Sequence, residues 1–309
     1  MKHKFLKGLA LSLTLASSPA LAADETVAFS VPNLGFPFFV HMQNEFNSAG
    51  EKLGVTVENY DGQNQTTKQT SDVEAMIIGG VDGIVISPLD SVAMAPAVRQ
   101  AVEAGIPVIT VDRAVEGVDV LGHVGADNVK GGEAQADLIT KLFPDGARIV
   151  NLQGQPGASP AIDRNAGLHN ILDGMSDKYE IVAEQTANFA REEGASVTEA
   201  ILAGLDSPPD VIVAANDDMA LGAMQVVQEQ GLDIAIIGFD ALPEALAAIR
   251  DGTLTATIEQ TPGAQSAGAL EALLAYLRDG TEPEKLTLLE PFALTKDNLD
   301  QAERLSEIE

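Results

Sequence analysis

The segment Ala-Gly-Ile-Pro-Val-Ile-Thr-Val-Asp-Arg, residues 104–113, decides the fold class of this 309-residue chain. The Gly-Ile-Pro at 105–107 is typical of a helix that stops and leads directly into a strand. The apolar, β-branched run at 108–111 is typical of a strand covered on both faces, as in a parallel sheet. The pair Asp112-Arg113 then stands at the carboxyl end of that strand, where open parallel sheets bind their ligands.

The same alternation continues along the chain in both directions. Short β-branched runs predict strands at 26–31, 55–59, 83–87, 106–111, 148–152, 181–185, 211–214, 235–239 and 255–258. Apolar residues three and four apart predict helices at 39–53, 66–78, 91–104, 132–142, 193–205 and 218–230. This order predicts an α/β fold of two Rossmann-like lobes, each a parallel sheet flanked by helices, with the change of lobe near Ala126.

Residues 1–22 have the three parts of a secretory signal peptide. Three lysines precede an apolar stretch at 9–16, and the Ala-Leu-Ala at 20–22 is a cleavage site of small residues. An uncleaved anchor is the alternative, but the stretch is shorter than the roughly 20 residues that a spanning helix needs. Cleavage after Ala22 places the protein in the periplasm. Because the chain has no cysteine, a lipid anchor, a disulfide and a thiolate metal site are excluded.

The charge balance is strongly acidic. The sequence has 46 acidic and 18 basic residues, which gives a formal net charge of -28 at pH 7. Nucleic-acid binding depends on basic residues that neutralise phosphates, so we expect no nucleic acid as a partner. The acidic residues are scattered, which is typical of a solvated surface; a cation-binding surface is the weaker alternative.

Aromatic and hydrogen-bonding residues follow the predicted strands. Phe36, Phe38 and Phe39 lie within four positions after the first strand, although the chain has only 10 phenylalanines. Later strands end in Asp112-Arg113, Asn216-Asp217-Asp218, Phe239-Asp240 and Glu259-Gln260. A sugar ring offers C–H faces that stack on aromatic rings and hydroxyls that such polar side chains can bond. A core position or a hydrophobic staple is the alternative for any single ring, but three together predict a sugar site.

The sequence contains no recognisable catalytic pattern. The histidines at 3, 41, 123 and 169 are isolated, with neither metal-ligand spacing nor a Gly-x-Ser-x-Gly partner, and no phosphate-binding glycine loop occurs. We therefore expect no metal and no cofactor. His41 is interpreted as an exposed or rim residue rather than a catalytic base. Asp112 and Asp240 could form a glycosidase pair, but binding is the simpler use of both residues, and an enzyme is not expected.

These motifs resemble the ribose-type group of periplasmic sugar-binding proteins, also called type I substrate-binding proteins, over nearly the whole mature chain. The resemblance is carried by Pro-Phe-Phe-Val at 37–40, the strand and Asp-Arg at 106–113, Asp127-Asn128 with Gly131-Gly132, Leu-Gln-Gly at 152–154, and the segments 216–223, 237–240 and 256–260. It implies a protein that closes two lobes about a three-segment hinge and serves an ABC importer.

The resemblance also implies a role for individual residues. Phe38 and Phe39 would stack on one face of the sugar and Phe189 on the other. The side chains expected to bond the hydroxyls are Asp112, Arg113, Arg164, Asn216, Asp240 and Gln260. Its crossings near Ala126, Gln260 and Leu289 imply a first lobe of residues 23–126 plus 261–289 and a second of 127–260 plus 290–309.

Two positions depart from the ribose-binding pattern. Phe36 replaces a usual hydrogen-bonding Asn, and Pro32 replaces a frequent Ser. A pocket that loses a hydroxyl partner discriminates strongly among ligands that differ in one hydroxyl. The expected ligand is therefore another pentose, a hexose or ketose, or a linear polyol.

Three other classes of protein share parts of this pattern. A transcription regulator of the lac-repressor family shares the lobes, but it would need a DNA-binding helix-turn-helix where this chain has a signal peptide. A sugar-acting enzyme is less favoured, and a ligand sensor for a chemoreceptor or two-component system is compatible with the sequence. The function that the sequence favours is therefore that of a monomeric binding protein that delivers a monosaccharide or polyol to a membrane permease.

Overall fold

The computed structural model describes residues 25–308 and forms two α/β lobes, as the alternation predicted. The predicted signal peptide at 1–22 lies outside the described residues. Strands and helices are numbered in chain order. None of the helices within 25–308 is long and apolar enough to cross a membrane.

The first lobe is built on a six-stranded parallel sheet with the order β11-β5-β4-β3-β1-β2. Its strands are β1 (Thr26–Val31), β2 (Thr56–Asp61), β3 (Gly83–Ile86), β4 (Val108–Val111), β5 (Gly122–Ala126) and β11 (Leu286–Leu289). Its helices are α1 (Pro37–Leu53), α2 (Thr66–Gly79), α3 (Ala95–Glu103) and α9 (Pro262–Asp279). β3 and β4 are buried along their whole length, because helices cover both faces of the sheet.

The second lobe has a four-stranded parallel sheet with the order β7-β6-β8-β9, beside an antiparallel pair of β10 and β12. Its strands are β6 (Ala147–Gln153), β7 (Tyr179–Thr186), β8 (Val211–Ala214), β9 (Ala235–Ile237), β10 (Thr257–Glu259) and β12 (Phe292–Leu294). Its helices are α4 (Asn128–Leu142), α5 (Ser159–Leu172), α6 (Arg191–Gly204), α7 (Asp217–Glu229) and α8 (Pro243–Asp251). Short 3-10 helices are Asp173–Met175, Lys296–Gln301 and Leu305–Glu307.

The chain passes between the two sheets three times. It leaves the first sheet after β5, returns between β10 and α9, and leaves again between β11 and β12. The Asp127 N–H donates to the Leu289 carbonyl at 2.9 Å, so two of the passages are bonded to each other. The carboxyl ends of both sheets consequently face one cleft between the lobes.

One predicted helix begins later than expected. The sequence placed its start at Ser91, whereas α3 begins at Ala95. Asp90 Oδ1 accepts the N–H groups of Val92 and Ala93 at 2.9 and 2.7 Å, which holds this segment in turns. The side chain of Asp90 therefore caps a turn that precedes the helix.

Candidate functional site

All ten sequence-predicted binding residues line one cavity between the lobes. The space in and around this cavity that protein atoms do not fill is about 340 Å³, open solvent at its mouth included. The lining residues are Phe36, Phe38, Phe39, Asp112, Arg113, Pro160, Arg164, Phe189, Asn216, Asp240 and Gln260. Both lobes contribute, because these residues follow strands whose carboxyl ends face the cleft.

The start of α1 provides the aromatic wall of the first lobe. Pro37 opens the helix, where a missing N–H costs nothing, and Phe36 precedes it in an extended conformation. Phe38 and Phe39 are buried, with ring centroids 5.2 Å apart and ring planes at 82°. Because the two rings are nearly perpendicular, they cannot both lie flat on one face of a ligand ring. This geometry differs from the paired stacking that the sequence resemblance implied.

Asp112 and Arg113 leave β4 through a left-handed turn, with Asp112 at a φ of 60°. The Ser87 hydroxyl donates to Asp112 Oδ2 at 3.1 Å, and Arg113 Nη1 donates to the Leu89 carbonyl at 3.0 Å. The Arg113 guanidinium carbon lies 5.3 Å from the Phe39 ring centroid. The backbone turn thus points a carboxylate and a guanidinium towards the cleft from adjacent positions.

Arg164 is the central cation of the second lobe. Arg164 lies on α5. Its Nε donates to Asn128 Oδ1 at 2.8 Å, and its Nη1 donates to the Ala215 carbonyl at 2.6 Å. Its guanidinium carbon lies 3.5 Å from the centroid of the Phe239 ring, a close cation–π contact. Nη1 is also 3.5 Å from Asp240 Oδ1. These contacts fix the guanidinium in one orientation before any ligand binds.

Phe189 and Asn216 follow β7 and β8. Phe189 has a φ of 61°, and Gly154 packs against its ring at a position where a side chain would collide with it. Asn216 Oδ1 accepts the Met219 N–H at 3.0 Å and so caps α7, while its Nδ2 donates to the Phe189 carbonyl at 3.1 Å. One N–H of the Asn216 amide therefore remains for a ligand.

Asp240 and Gln260 complete the cavity. Gln260 Nε2 donates to Asp240 Oδ1 at 2.6 Å, and Gln265 Nε2 donates to the Gln260 carbonyl at 2.7 Å. Burial raises the pKa of Asp240 to about 7, against the opposing effect of Arg164. The second carboxylate oxygen, Oδ2, remains available to accept a ligand hydroxyl.

The formal charges of the cavity side chains are balanced. Two carboxyl groups, Asp112 and Asp240, face two guanidinium groups, Arg113 and Arg164, and each residue is at most 4% exposed. Burial raises the pKa of Asp112 and lowers that of Arg113 to about 10, while the opposite charges counteract both shifts. An uncharged ligand leaves this balance intact, whereas a charged ligand would add an unpaired charge in a low-dielectric site.

Hydrogen bonds between the lobes close the mouth of the cavity. The Ser91 N–H and hydroxyl both donate to the Gly157 carbonyl, at 2.9 and 2.8 Å, and the Ala114 N–H donates to Ser159 Oγ at 2.8 Å. Arg113 Nη1 reaches Gln155 Oε1 across the cleft at 3.3 Å. The structure is therefore the closed form of a two-lobed protein.

Sequence reasoning missed Pro160 and misjudged Pro32. Pro160 lies one helical turn before Arg164 on α5, so the spacing of four residues could have identified it. Pro32 is buried, but it is not among the residues that line the cavity, and its carbonyl accepts the Asn64 N–H at 2.9 Å. Of the two departures from the ribose-binding pattern, only Phe36 faces the cavity.

The three histidines within residues 25–308, at 41, 123 and 169, are not among the residues that line the cavity. His41 is partly buried on α1, and its Nε2 is 3.0 Å from Glu303 Oε1 of the C-terminal segment. His169 contacts Asp173 and Glu184 on the second lobe. Among residues 25–308, no group of three or more His, Cys, Asp or Glu side chains is arranged to hold a metal ion.

Comparison with known proteins gives one consistent result. A family model described as a periplasmic binding protein domain matches residues 27–282. The ribose import binding protein RbsB of Bacillus subtilis is 43% identical over 239 residues, which cover 77% of this chain and 76% of that protein.

Two solved structures share the whole two-lobed fold. The Caulobacter myo-inositol binding protein bound to myo-inositol is 42% identical, with a TM-score of 0.89 over 93% of this chain and 98% of that one. A solute binding protein of an ABC transporter from Bacillus halodurans, with bound myo-inositol, is 29% identical, with a TM-score of 0.86 over 91% and 98%. The chain therefore belongs to the family of type I periplasmic sugar-binding proteins of ABC transporters.

Proposed function

We propose that the protein binds a neutral monosaccharide or cyclic polyol between its lobes and delivers it to the membrane permease of an ABC importer. The observation that carries this proposal is the charge-balanced, buried cavity in which six polar side chains surround a space flanked by phenyl rings. Those side chains are Asp112, Arg113, Arg164, Asn216, Asp240 and Gln260.

The arrangement suits hydroxyl groups, each of which both donates and accepts. The carboxylates accept from a hydroxyl, the guanidinium groups donate to one, and the Asn216 amide has a free N–H. Charge-assisted bonds of this kind are stronger than neutral ones, and a buried partner left unpaired carries a desolvation cost. The site therefore binds ligands with hydroxyls around the full ring and disfavours ligands that lack one.

Within this class we propose a six-membered polyol ring, such as myo-inositol, ahead of ribose. Six hydroxyls match six polar side chains better than the smaller set that ribose offers. Phe36 presents an apolar edge where a pentose binder would present an amide. Two solved relatives hold myo-inositol, and the one from Caulobacter is 42% identical to this chain, close to the 43% of the ribose import protein.

We propose that the lobes move as bodies comprising 23–126 plus 261–289 and 127–260 plus 290–309. The sheet membership of β10, β11 and β12 and the three passages between the sheets support these boundaries. A ligand that contacts both lobes would bind the closed form more tightly than an open form. This difference in affinity would shift the equilibrium towards the closed form. The ligand then acts as the bridge that holds the lobes together.

The site of action follows from the N-terminus. We propose export by the signal peptide at 1–22, cleavage after Ala22 and function as a monomer in the periplasm. N-terminal sequencing of the protein from a periplasmic extract should begin at Ala23. Light scattering at micromolar concentration should give the mass of one chain.

A binding screen tests the ligand class. Calorimetry of the purified protein with myo-inositol, D-ribose, D-galactose, D-fructose and xylitol should give its tightest binding with myo-inositol, and D-glucuronate should bind far more weakly because it adds a charge. Asp240→Ala serves as the matched site variant. Tight binding of D-glucuronate, or no binding of any neutral ring, would overturn the proposal.

A second experiment tests delivery and the absence of turnover. A deletion strain should lose growth on the ligand and regain it with the wild-type gene but not with Asp240→Ala. Loss of taxis with unchanged growth would instead assign the protein to sensing. The ligand recovered after long incubation with the protein should be chemically unchanged by NMR, and any product would identify an enzyme.

A further inference from the structure

The turn that carries Asp240 has an unfavourable backbone conformation. Asp240 has a φ of 111° and Ala241 a φ of 51°, and neither residue is glycine. Residues with a side chain rarely adopt such angles, and they persist only where the surrounding structure holds them. The orientation of the Asp240 carboxyl in the cavity depends on whatever holds this turn.

The contacts of Asp217 identify a candidate for that role. Asp217 is fully buried at the start of α7, and it is not among the side chains that line the cavity. Its Oδ2 accepts the Leu242 N–H at 2.8 Å, just beyond the two residues with positive φ. Its own N–H donates to the Phe239 carbonyl at 2.7 Å, just before them. One residue thus bonds both ends of the turn.

Thr257 of β10 supports the same turn from the other side. Its buried hydroxyl donates to Asp217 Oδ1 at 2.7 Å and accepts the Ala241 N–H at 3.3 Å. Gly238 packs so closely on Asp217 Oδ1 that a Cβ at this position would collide with it. Both oxygens of the Asp217 carboxylate therefore have defined partners that lie on or beside the turn.

We propose that Asp217, with Thr257, is a positioning residue for ligand recognition: it clamps the strained turn so that the Asp240 carboxyl points into the cavity. This inference rests on the proposed function, because Asp240 matters only if it binds the ligand. The clamp acts through Asp240 and makes no contact with the ligand. It predicts that a change at residue 217 alters affinity through the backbone of residues 240 and 241.

The primary test compares Asp217→Asn with Asp218→Asn. An amide at 217 cannot accept at both positions: with its oxygen at the Leu242 N–H, its NH2 group faces the Thr257 hydroxyl, which loses the acceptor for its proton. Asp218 is an adjacent buried carboxyl whose bond goes to Arg191, away from the turn. Calorimetry with myo-inositol and D-ribose should show at least a tenfold loss for Asp217→Asn and less than threefold for Asp218→Asn. Equal affinities for Asp217→Asn and wild type would overturn the clamp.

A rescue variant separates positioning from general destabilisation. Ala241→Gly removes the penalty of a positive φ at one of the two strained residues while it keeps the N–H that bonds Thr257. In the Asp217→Asn variant, Ala241→Gly should raise the ligand affinity at least threefold. In the wild-type protein, the same change should alter the affinity less than threefold. Restoration of stability without affinity would show that Asp217 is only structural and would contradict the proposal.

Two further measurements cover the remaining outcomes. If Asp217→Asn does not fold, Thr257→Val should show the affinity loss and Thr257→Ser should not, and equal losses would overturn the clamp. If the wild-type protein binds neither myo-inositol nor D-ribose, the proposed ligand class is wrong. Thermal unfolding of the variants at 217 and 241 then tests the clamp independently of ligand binding. Ala241→Gly should raise the melting temperature more in the Asp217→Asn variant than in the wild-type protein, which would support the clamp. If Ala241→Gly changes the melting temperature equally in both proteins, the clamp is excluded.

Discussion

The two lobes contribute to the cavity in different ways. The first lobe provides a phenyl wall from α1, whose rings make no directional bonds, together with the Asp112-Arg113 pair. The second lobe provides Arg164, Asn216 and Gln260, each hydrogen-bonded to protein groups beyond the cavity wall, and Asp240, whose carboxyl accepts from Gln260. Positive φ angles occur in both parts of the site, at Asp112 in the first lobe and at Asn188, Phe189, Asp240 and Ala241 in the second.

This difference indicates a division of labour. Strained backbone and buried polar networks cost free energy, and they persist where a fixed geometry is required. The second lobe therefore holds most of the hydroxyl partners in place before ligand arrives, while the first lobe adds three phenyl rings and the Asp112-Arg113 pair. Changes in the second lobe should decide whether a ligand binds, and changes in the aromatic wall should decide which one.

The largest effect is expected for Asp240→Ala in the second lobe. Its loss leaves Gln260 Nε2 without its acceptor and takes from Arg164 the carboxylate that lies 3.5 Å from its Nη1, in addition to removing the acceptor for a ligand hydroxyl. Affinity should therefore fall by about 3 kcal/mol or more. Calorimetry measures the loss, and an unchanged circular dichroism spectrum is the control for folding. An affinity within threefold of wild type would contradict the division of labour.

A smaller loss is expected for Asp112→Ala in the first lobe. Arg113 keeps its hydrogen bonds to the Leu89 carbonyl and Gln155 and loses only a carboxylate 3.8 Å from its Nε, while the Ser87 hydroxyl loses its acceptor. The loss should be about 1 to 2 kcal/mol. The same titration as for Asp240→Ala measures it. If Asp112→Ala costs more than Asp240→Ala, the first lobe carries the main recognition and the comparison is reversed.

Phe36→Asn sharpens the comparison by changing selectivity more than affinity. The amide restores a hydrogen-bonding group at the aromatic wall, which should shift the ratio of affinities towards D-ribose over myo-inositol by roughly 1 kcal/mol. Phe46→Leu, in the core away from the cavity, is the control for packing effects. An unchanged ratio would mean that Phe36 does not set ligand preference.

The smallest effect concerns pH and the Asp240 carboxyl. Because its pKa in the closed form is raised to about 7, above the value in an unfolded chain, its contribution to stability is present at low pH and is lost as pH rises through 7. Opening of the lobes rehydrates the group, so the expected change is at most about 1 kcal/mol between pH 5 and 8. Denaturant unfolding without ligand should show this slope in wild type and a flatter one in Asp240→Asn; parallel slopes would exclude it.

Sequence predicted the strand-helix framework well, because its signals are local. β1 (Thr26–Val31) and β8 (Val211–Ala214) were predicted to the residue, since continuous β-branched runs are distinctive. β5, with the sequence Gly-His-Val-Gly-Ala, and the exposed β11 were not predicted from their residues. Their place in the sheet depends on pairing with distant strands, which a local pattern does not reveal.

Ten of the eleven cavity residues could be predicted because they follow strands or match family motifs. The supporting residues could not. In the sequence, Asp217 is only one of three consecutive polar residues that follow a predicted strand. Its hydrogen-bond partners Leu242 and Thr257 lie 25 and 40 positions further along the chain. The perpendicular arrangement of Phe38 and Phe39 also depends on packing that no sequence period encodes.

Small-angle X-ray scattering tests the central claim most directly, that one ligand bonded to both lobes holds them closed. The radius of gyration of wild type should fall when its tightest neutral ligand is added at saturation, and the scattering should then match the closed form. Asp240→Ala at the same ligand concentration should keep the larger radius. A wild-type radius that does not change at saturating ligand would contradict the account.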